Sequence, residues 1–369
     1  MRFKIEARPQ PSARMAYLSP LIAVGLTLFT GLILSTLVGT NPLDAFYAFF
    51  IAPIDDWYGL GELGVKAAPL MLIAVGLAIG FRANIWNIGA EGQLAVGAIC
   101  GGGLALWFYE SSSVFLLPAM IVAGCIGGML WSSIPAFLRT RFNTNEILVS
   151  LMLNYVAVLI LSYLVHDPWR DPSGFNFPES RLFTDAASLP IILDGTRLHA
   201  GFIIALLVGA LGWVFVRKSF VGYKMQVVGM ADSAALYAGF RRKHMVWIGL
   251  LAGGGAAGIA GISEVAGPIG QLLPSVSPGY GYAAIIVAFV GRLHPVGILF
   301  ASLLMSLLYL GGESAQMLLG LPSAVTGVFQ GVLLFFLLAA DLFINYRIRR
   351  EPAVSPIVAA TAADTEVTP

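Results

Sequence analysis

The sequence predicts an all-α integral membrane protein of about ten transmembrane helices, some of them short or broken. Three observations carry this. Of the 369 residues, 58% are hydrophobic and 11% charged, where a soluble domain carries about a quarter charged residues. The apolar residues come in runs of about 17 to 25, long enough for a helix to cross the hydrocarbon core. The basic residues gather on alternate connections between those runs. A membrane β-barrel would instead show alternating segments of about ten residues, and these runs do not alternate.

Taken in order, residues 1–19 form a basic N-terminal segment beginning MRFKIEARPQPSAR. The apolar run from Pro20 to Val38 is longer than a signal-peptide core and lacks a small-x-small cleavage site, so it reads as the first membrane helix. Further runs lie near 66–82, 92–109, 114–138, 147–165, 200–216, 245–263, 281–291, 295–311 and 323–343. The run at 281–291 is short, and Gly291-Arg292-Leu293-His294-Pro295 separates it from the next run, because Pro ends or kinks a helix. Two short helices there give ten spans; one kinked helix gives nine.

Charge favours ten. With the N-terminus inside, only Lys66, Arg170, Arg181 and Arg197 of the 21 Lys and Arg then fall outside, which satisfies the positive-inside rule. Nine spans would expose Arg347, Arg349 and Arg350 instead. Both termini are therefore expected in the cytoplasm. Trp57, Tyr58, Trp107, Tyr109, Trp169 and Tyr346 sit at run ends, as interfacial anchors do. The membrane-spanning domain covers 20–345. The tail 346–369 has neither periodicity nor a core and reads as disordered.

Several chemistries find no support. Cys100 and Cys125 lie in apolar runs and behave as small hydrophobes, and the four His show no metal spacing. No GxxxxGK[ST] phosphate loop occurs, so ATP, if used, is hydrolysed by another chain. GGGAAG, Gly253 to Gly258, matches a dinucleotide-binding pattern but follows no strand. Gly254, Ala257, Gly258 and Gly261 instead form small-xxx-small pairs that let helices approach closely. Asn143-Thr144-Asn145-Glu146 has capping-box spacing, which accounts for Glu146. Asn154 is polar in mid-span, either as interhelical glue or along a solute path.

Two connections are informative. The outside segment 166–199 is rich in Pro, Asp and Ser, and is either a connector or a docking surface for an extracytoplasmic partner. The inside loop 217–244 predicts a short helix, Ser233 to Ala238, capped by Asp232 and ended by Gly239. Ala234, Ala235, Ala238 and Gly239 give it a small-residue surface suited to docking on another protein. The neighbouring basic residues, Arg241 among them, equally suit the positive-inside rule or anionic lipid.

The stretch FRANIWNIGAEGQ, residues 81–93, is polar within a greasy chain. It is either a plain turn with Arg82 as stop signal, or a broken or re-entrant segment lining a cavity, where non-helical backbone is tolerated at membrane depth. No nucleophile–base pair or ligand set accompanies Glu91, so an active site has little support.

This stretch, followed by NEILVSLMLNY, VVGMADSAALYAG and VAFVGRLHPVG, resembles the membrane subunits of bacterial ABC importers. The likeness covers about residues 15–345, and is greatest to nucleoside-uptake permeases within the group that also serves simple sugars and branched-chain amino acids. It implies a type II importer-like permease with no cofactor of its own, ATP and Mg being bound by a partner ATPase. It further implies a cytoplasmic ABC ATPase, a second, often non-identical permease subunit and an extracytoplasmic substrate-binding protein, all at the bacterial inner membrane and without nucleic acid. The segment Gly229 to Gly239 corresponds to the coupling helix that sits on the ATPase, with Gly229, Asp232, Ala234, Ala235, Ala238, Gly239 and Arg241 as its residues. Ala231-Asp232 replaces the family's usual Asn-Pro. Asn84, Trp86, Asn87, Glu91, Gln93 and Asn154 are the expected lining of a nucleoside path. A simple-sugar permease is the nearer alternative; an ion-coupled transporter and a structural subunit are the more distant ones. Glu91, Glu146, Glu264 and Asp341 all fall near expected span ends, which disfavours ion coupling.

Overall fold

The computed structural model describes residues 2–8, 13–37, 39–322 and 346–351, with the pairs 324–325, 327–328, 331–332, 335–336 and 339–340. Among the described residues, twelve α-helices have defined bounds: α1 (Ala13–Leu37), α2 (Pro42–Phe50), α3 (Trp57–Phe81), α4 (Ala90–Trp107), α5 (Leu116–Phe142), α6 (Glu146–His166), α7 (Gly201–Lys218), α8 (Phe220–Met230), α9 (Asp232–Tyr237), α10 (Arg242–Glu264), α11 (Tyr280–Val290) and α12 (Pro295–Leu319). Nine of the expected runs coincide with α1, α3 to α7 and α10 to α12. The expected span at 323–343 lies largely outside the described residues, as does the tail beyond 351.

Among the described residues, six helices are long and apolar enough to cross a membrane: α3, α5, α6, α7, α12 and α10 with its extension to Ile269. The expected ten are not reached on that measure. The apolar part of the first helix is Leu21–Leu37, α11 has only 11 residues, and α4 opens on the polar Glu91 and Gln93. The break at 291–294 is real: α11 and α12 are separate helices, joined by a turn in which Arg292 and Leu293 take positive φ.

The chain divides into two units, Met1–Leu43 with Gly327–Pro369, and Asp44–Thr326. The first contains α1 and an antiparallel ribbon, β1 (Arg2–Ala7) on β2 (Tyr346–Glu351), with Arg2 opposite Glu351. The sequence has no signal for this pairing. The second unit is built around α3 and α10. All but a few positions of α3 are buried, so it is a central helix without a polar face, as a bundle interior requires. Pro69 is accommodated within it.

α10 packs on α5 through glycine. A Cβ on Gly258 would strike the carbonyl oxygen of Gly124, and one on Gly128 that of Gly254. The two backbones therefore touch, as the small-residue spacing predicts. Gly261 meets the α4 backbone at Leu94 in the same way. Past Glu264, α10 widens into a π-turn, Val265–Ile269, containing Pro268; such turns are found where a helix is interrupted.

Two helix starts differ from expectation. Asn143 does not begin a capping box: it is the left-handed C-cap of α5, at φ 54°. Asn145 caps α6 instead, accepting from the Ile147 amide at 2.9 Å, and Glu146 pairs with Arg139 at 3.1 Å. Asn is one of the few residues that takes the left-handed conformation without much strain, so two Asn two residues apart end one helix and start the next. Likewise Asp232 is not the N-cap of α9. Ala231 occupies that position with no side-chain bond, and Asp232 pairs with Arg242 at 2.8 Å.

Candidate functional site: the chain break between α3 and α4

The polar stretch 81–93 resolves into the end of α3, a turn at 82–84, irregular backbone at 85–89 and the first turn of α4. Asn84 takes φ 53° in that turn. Its carboxamide oxygen accepts from the Trp86 indole at 3.0 Å.

The break runs along the short helix α11. At one end, Arg82 donates to the Leu293 carbonyl at 2.5 Å, just past the end of α11. At the other, the Glu91 carboxylate accepts from the Gly281 amide at 2.7 Å, in the first turn of α11. Eleven residues of helix rise about 16 Å, so residues 82–91 climb about half the thickness of a hydrocarbon core. The stretch thus runs the length of α11 and is not a tight turn. The starts of α4 and α11 meet at the top of the climb, where a Cβ on Gly281 would overlap the Glu91 backbone. The first amides of both helices lack a partner within their own helix and mark the positive ends of helix dipoles. The Glu91 carboxylate is buried at this junction, with Ser277 close by; the Ser277 hydroxyl itself accepts from the Gly279 and Tyr280 amides. Glu91 is thus an N-terminal cap for α11.

The amides of the break satisfy one another. Asn87 and Gln93 exchange bonds of 2.8 and 3.0 Å, and Asn87 also accepts from the Gly89 amide. Asn154 of α6 accepts from the Gly92 amide at 2.9 Å. It donates to the Ile88 carbonyl and, at 3.0 Å, to the Tyr282 hydroxyl. All three side chains are buried. Backbone leaving helix form inside an apolar bundle must find such partners, and Asn154 supplies them from the middle of α6. The expected path residues therefore divide. Asn87 with Gln93, Glu91 with the Gly281 amide and Asn154 with the backbone of the break are buried and bonded, while Asn84 is exposed and Trp86 half-buried. Trp86 joins Phe81 and Phe289 in an aromatic group, with ring centroids 5.1 to 5.6 Å apart. Tyr282, Ser277 and Phe289 were not legible as site residues, because their partners lie more than a hundred residues away.

The loop 217–244 is attached to this break. α8 lies against it so closely that a Cβ on Gly229 would overlap the Arg82 carbonyl and touch Ala83. Ala83 and Ile85 share an apolar cluster with Met225 and Val228 of α8, Ala235 of α9 and Met245 of α10. α9 presents the opposite face: Ala234 and Ala238 are exposed, and Leu236 and Tyr237 are 73% and 97% exposed. Gly239 ends it at φ 78°. Arg241 is exposed beside it.

At the opposite end of the unit, the segment 166–199 is fastened to the connection after α10. Ser180, Phe183 and Leu189 donate backbone bonds to Leu272, Gly270 and Ala266 at 3.0, 2.7 and 2.7 Å. His199 is enclosed between Gly201 and Gly267. Burial holds its imidazole well down, at about 4 against the usual 6.5. Arg197 makes a two-pronged pair with Glu62 of α3. Glu264 is the buried last residue of α10, with Lys66, Arg197 and Glu62 as its charged surroundings. Among the described residues no group of His, Cys, Asp and Glu has the makings of a metal site.

A family model described as the branched-chain amino acid transport system / permease component matches residues 60–338. The glucose ABC transporter permease protein TsgB13 of Haloferax volcanii is 34% identical over 358 residues, 94% of each chain. The guanosine ABC transporter permease protein NupP of Bacillus subtilis is 30% identical, over 86% of this chain and 92% of its own. The nucleoside ABC transporter permease protein NupB of Lactococcus lactis is 27% identical, over 87% and 90%. No solved structure matches the chain.

Proposed function

We propose a transport function from one premise: the chain belongs to the branched-chain amino acid transport system / permease component family, whose relatives here are ABC transporter permeases. Within it, the chain is the membrane subunit of an importer that moves a purine-type nucleoside by alternating access. One observation carries the mechanism: α8 and α9, the break at 82–89 and α10 share one apolar cluster. A push on the exposed face of α9 is thereby delivered to backbone at half-depth.

In this reading a cytoplasmic ABC ATPase binds ATP and Mg and closes beneath α9. Leu236, Tyr237, Ala234 and Ala238 dock on it, and Asp232 with Arg242 holds the helix square. Gly229, with no side chain, lets α8 sit directly on Arg82 and pass the movement on. Gly239 and Arg241 form the exit from the docked helix. Both chain termini and the loop 217–244 lie in the cytoplasm, and the segment 166–199 faces the extracytoplasmic substrate-binding protein. A second permease subunit, non-identical to this one, completes the path.

The solute passes along the break. A nucleoside needs a flat apolar surface for its base and polar groups for its hydroxyls. Trp86 and Phe289 supply the first, Asn84 the second. Asn87, Glu91, Gln93 and Asn154 act on the path as its framework, fixing the irregular backbone on which Trp86 is carried. Identity to the guanosine and nucleoside permeases supports this substrate class. A simple sugar is the second reading, favoured by the 34% identity to the glucose permease; a pyranose uses the same aromatic face and hydroxyl partners.

Uptake of radiolabelled guanosine and of glucose by vesicles carrying the complete transporter separates the two. Guanosine accumulation that unlabelled inosine suppresses and glucose does not is the expected result. Accumulation of glucose alone would establish the sugar reading.

A further inference from the structure

We propose that the basic cavity between the ends of α5 and α10 is a binding site for the phosphodiester headgroup of an anionic membrane phospholipid. The cavity holds about 440 Å³ and is lined by Arg139, Arg141, Asn143, Asp232, Arg242 and Lys243. Two of its four cations are already engaged: Arg139 with buried Glu146 at 3.1 Å, Arg242 with Asp232 at 2.8 Å. Arg141 and Lys243 have no ion-pair partner among the described residues. The cavity therefore carries surplus positive charge, with two pre-positioned guanidinium groups that present further N–H donors. Phosphate oxygens are the acceptors that match such a fork.

A lipid is favoured over a soluble anion by what adjoins the cavity. Arg141 sits at the end of a face of α5 that runs Leu130, Ile134 and Phe137 at helical spacing, and these are 63%, 37% and 50% exposed. Phe142, 64% exposed, packs edge-on against Phe137 at 6.0 Å. An apolar ridge along a membrane helix, ending in basic residues at the interface, accepts an acyl chain below and an anionic headgroup above. Since Arg242 also holds Asp232, the first residue of α9, a lipid here shares a residue with the proposed ATPase contact. A lipid in this cavity rests on the membrane orientation of the transport reading, but its test measures lipid without any transport.

The assembled transporter, extracted from vesicles of equal phosphatidylglycerol and phosphatidylcholine, is examined by native mass spectrometry. The expected result is selective retention of phosphatidylglycerol. In the double variant R141Q/K243Q occupancy falls about thirty-fold, the loss expected for two basic residues at an anionic surface. R141K/K243R retains it, and R181Q, on the 166–199 segment, leaves it unchanged. Equal retention of both lipids by the unaltered protein, or full phosphatidylglycerol occupancy in R141Q/K243Q, would overturn the proposal. Displacement of the lipid by added inorganic phosphate would assign the cavity to a free anion and overturn it as well. Correct assembly of each variant is established by co-purification of its partner subunits, so a folding defect is not scored as lipid loss.

Discussion

Asn154 holds three groups at once, and its worth lies in the groups its loss would strand. Asn154→Ala leaves the Gly92 amide and the Ile88 carbonyl without a partner in the bundle interior. Each such group costs about 1–3 kcal/mol. The expected outcome is a lower melting temperature of the purified protein together with loss of uptake; an unchanged melting curve contradicts the bonding described here. Asn84→Ala, which strands no buried group, is expected to leave stability within about 0.5 kcal/mol and to act on uptake alone. Polarity in mid-span was enough to single out Asn154, and composition enough to single out 81–93. The partner that explains Glu91, the Gly281 amide 190 residues on, was not readable, because nothing local records which helix start will arrive there. His199 makes a separate statement about pH. Its folded-state value of about 4 lies below the unfolded 6.5, so between these values the unfolded chain binds the extra proton. Stability is therefore full above pH 6.5 and falls as the pH drops toward 4, by on the order of 3 kcal/mol. Melting measured from pH 7 to pH 5 should show this decline, and His199→Gln should flatten it.

At the scale of elements, the two glycine contacts set the strictest limits. Gly258 meets Gly124 backbone, and Gly229 meets Arg82 backbone, so neither site tolerates a side chain without moving a helix. Gly258→Ala is expected to destabilise the purified protein by about 1–3 kcal/mol, read as a fall in melting temperature, because α5 and α10 must separate. Gly229→Ala is expected to act differently: it lifts α8 from the break while the α5–α10 core stays intact. ATP hydrolysis by the assembled transporter should then persist while solute uptake falls at least several-fold. Equal loss of both activities would show that α8 is only a structural prop. Helix positions along the chain were legible because apolar runs between Gly, Pro and charge report burial directly. Caps were less so: Asn143 and Asn145 satisfy similar sequence rules, and only the backbone shows which ends α5 and which starts α6. The helices α2 and α8 escaped because they are too short to cross a membrane and lie beside connections.

For the whole molecule, the break, the α8–α9 elbow and the basic cavity occupy one end of the unit Asp44–Thr326, and the segment fastened by Ser180, Phe183 and Leu189 the other. In the proposed importer the energy source and the solute are delivered to these two ends. This unit is also where ion coupling would have to be built. Glu264 is a buried carboxylate, the kind of group that class requires, though it ends α10 with Lys66 and Arg197 close by. The direct measurement is accumulation of radiolabelled guanosine in proteoliposomes holding the complete transporter, with ATP supplied at the ATPase face and the proton and sodium gradients collapsed by ionophores. The account predicts accumulation that needs hydrolysable ATP, is indifferent to the ionophores and falls at least several-fold in Gly229→Ala. Accumulation that survives without ATP and disappears with the ionophores would contradict it.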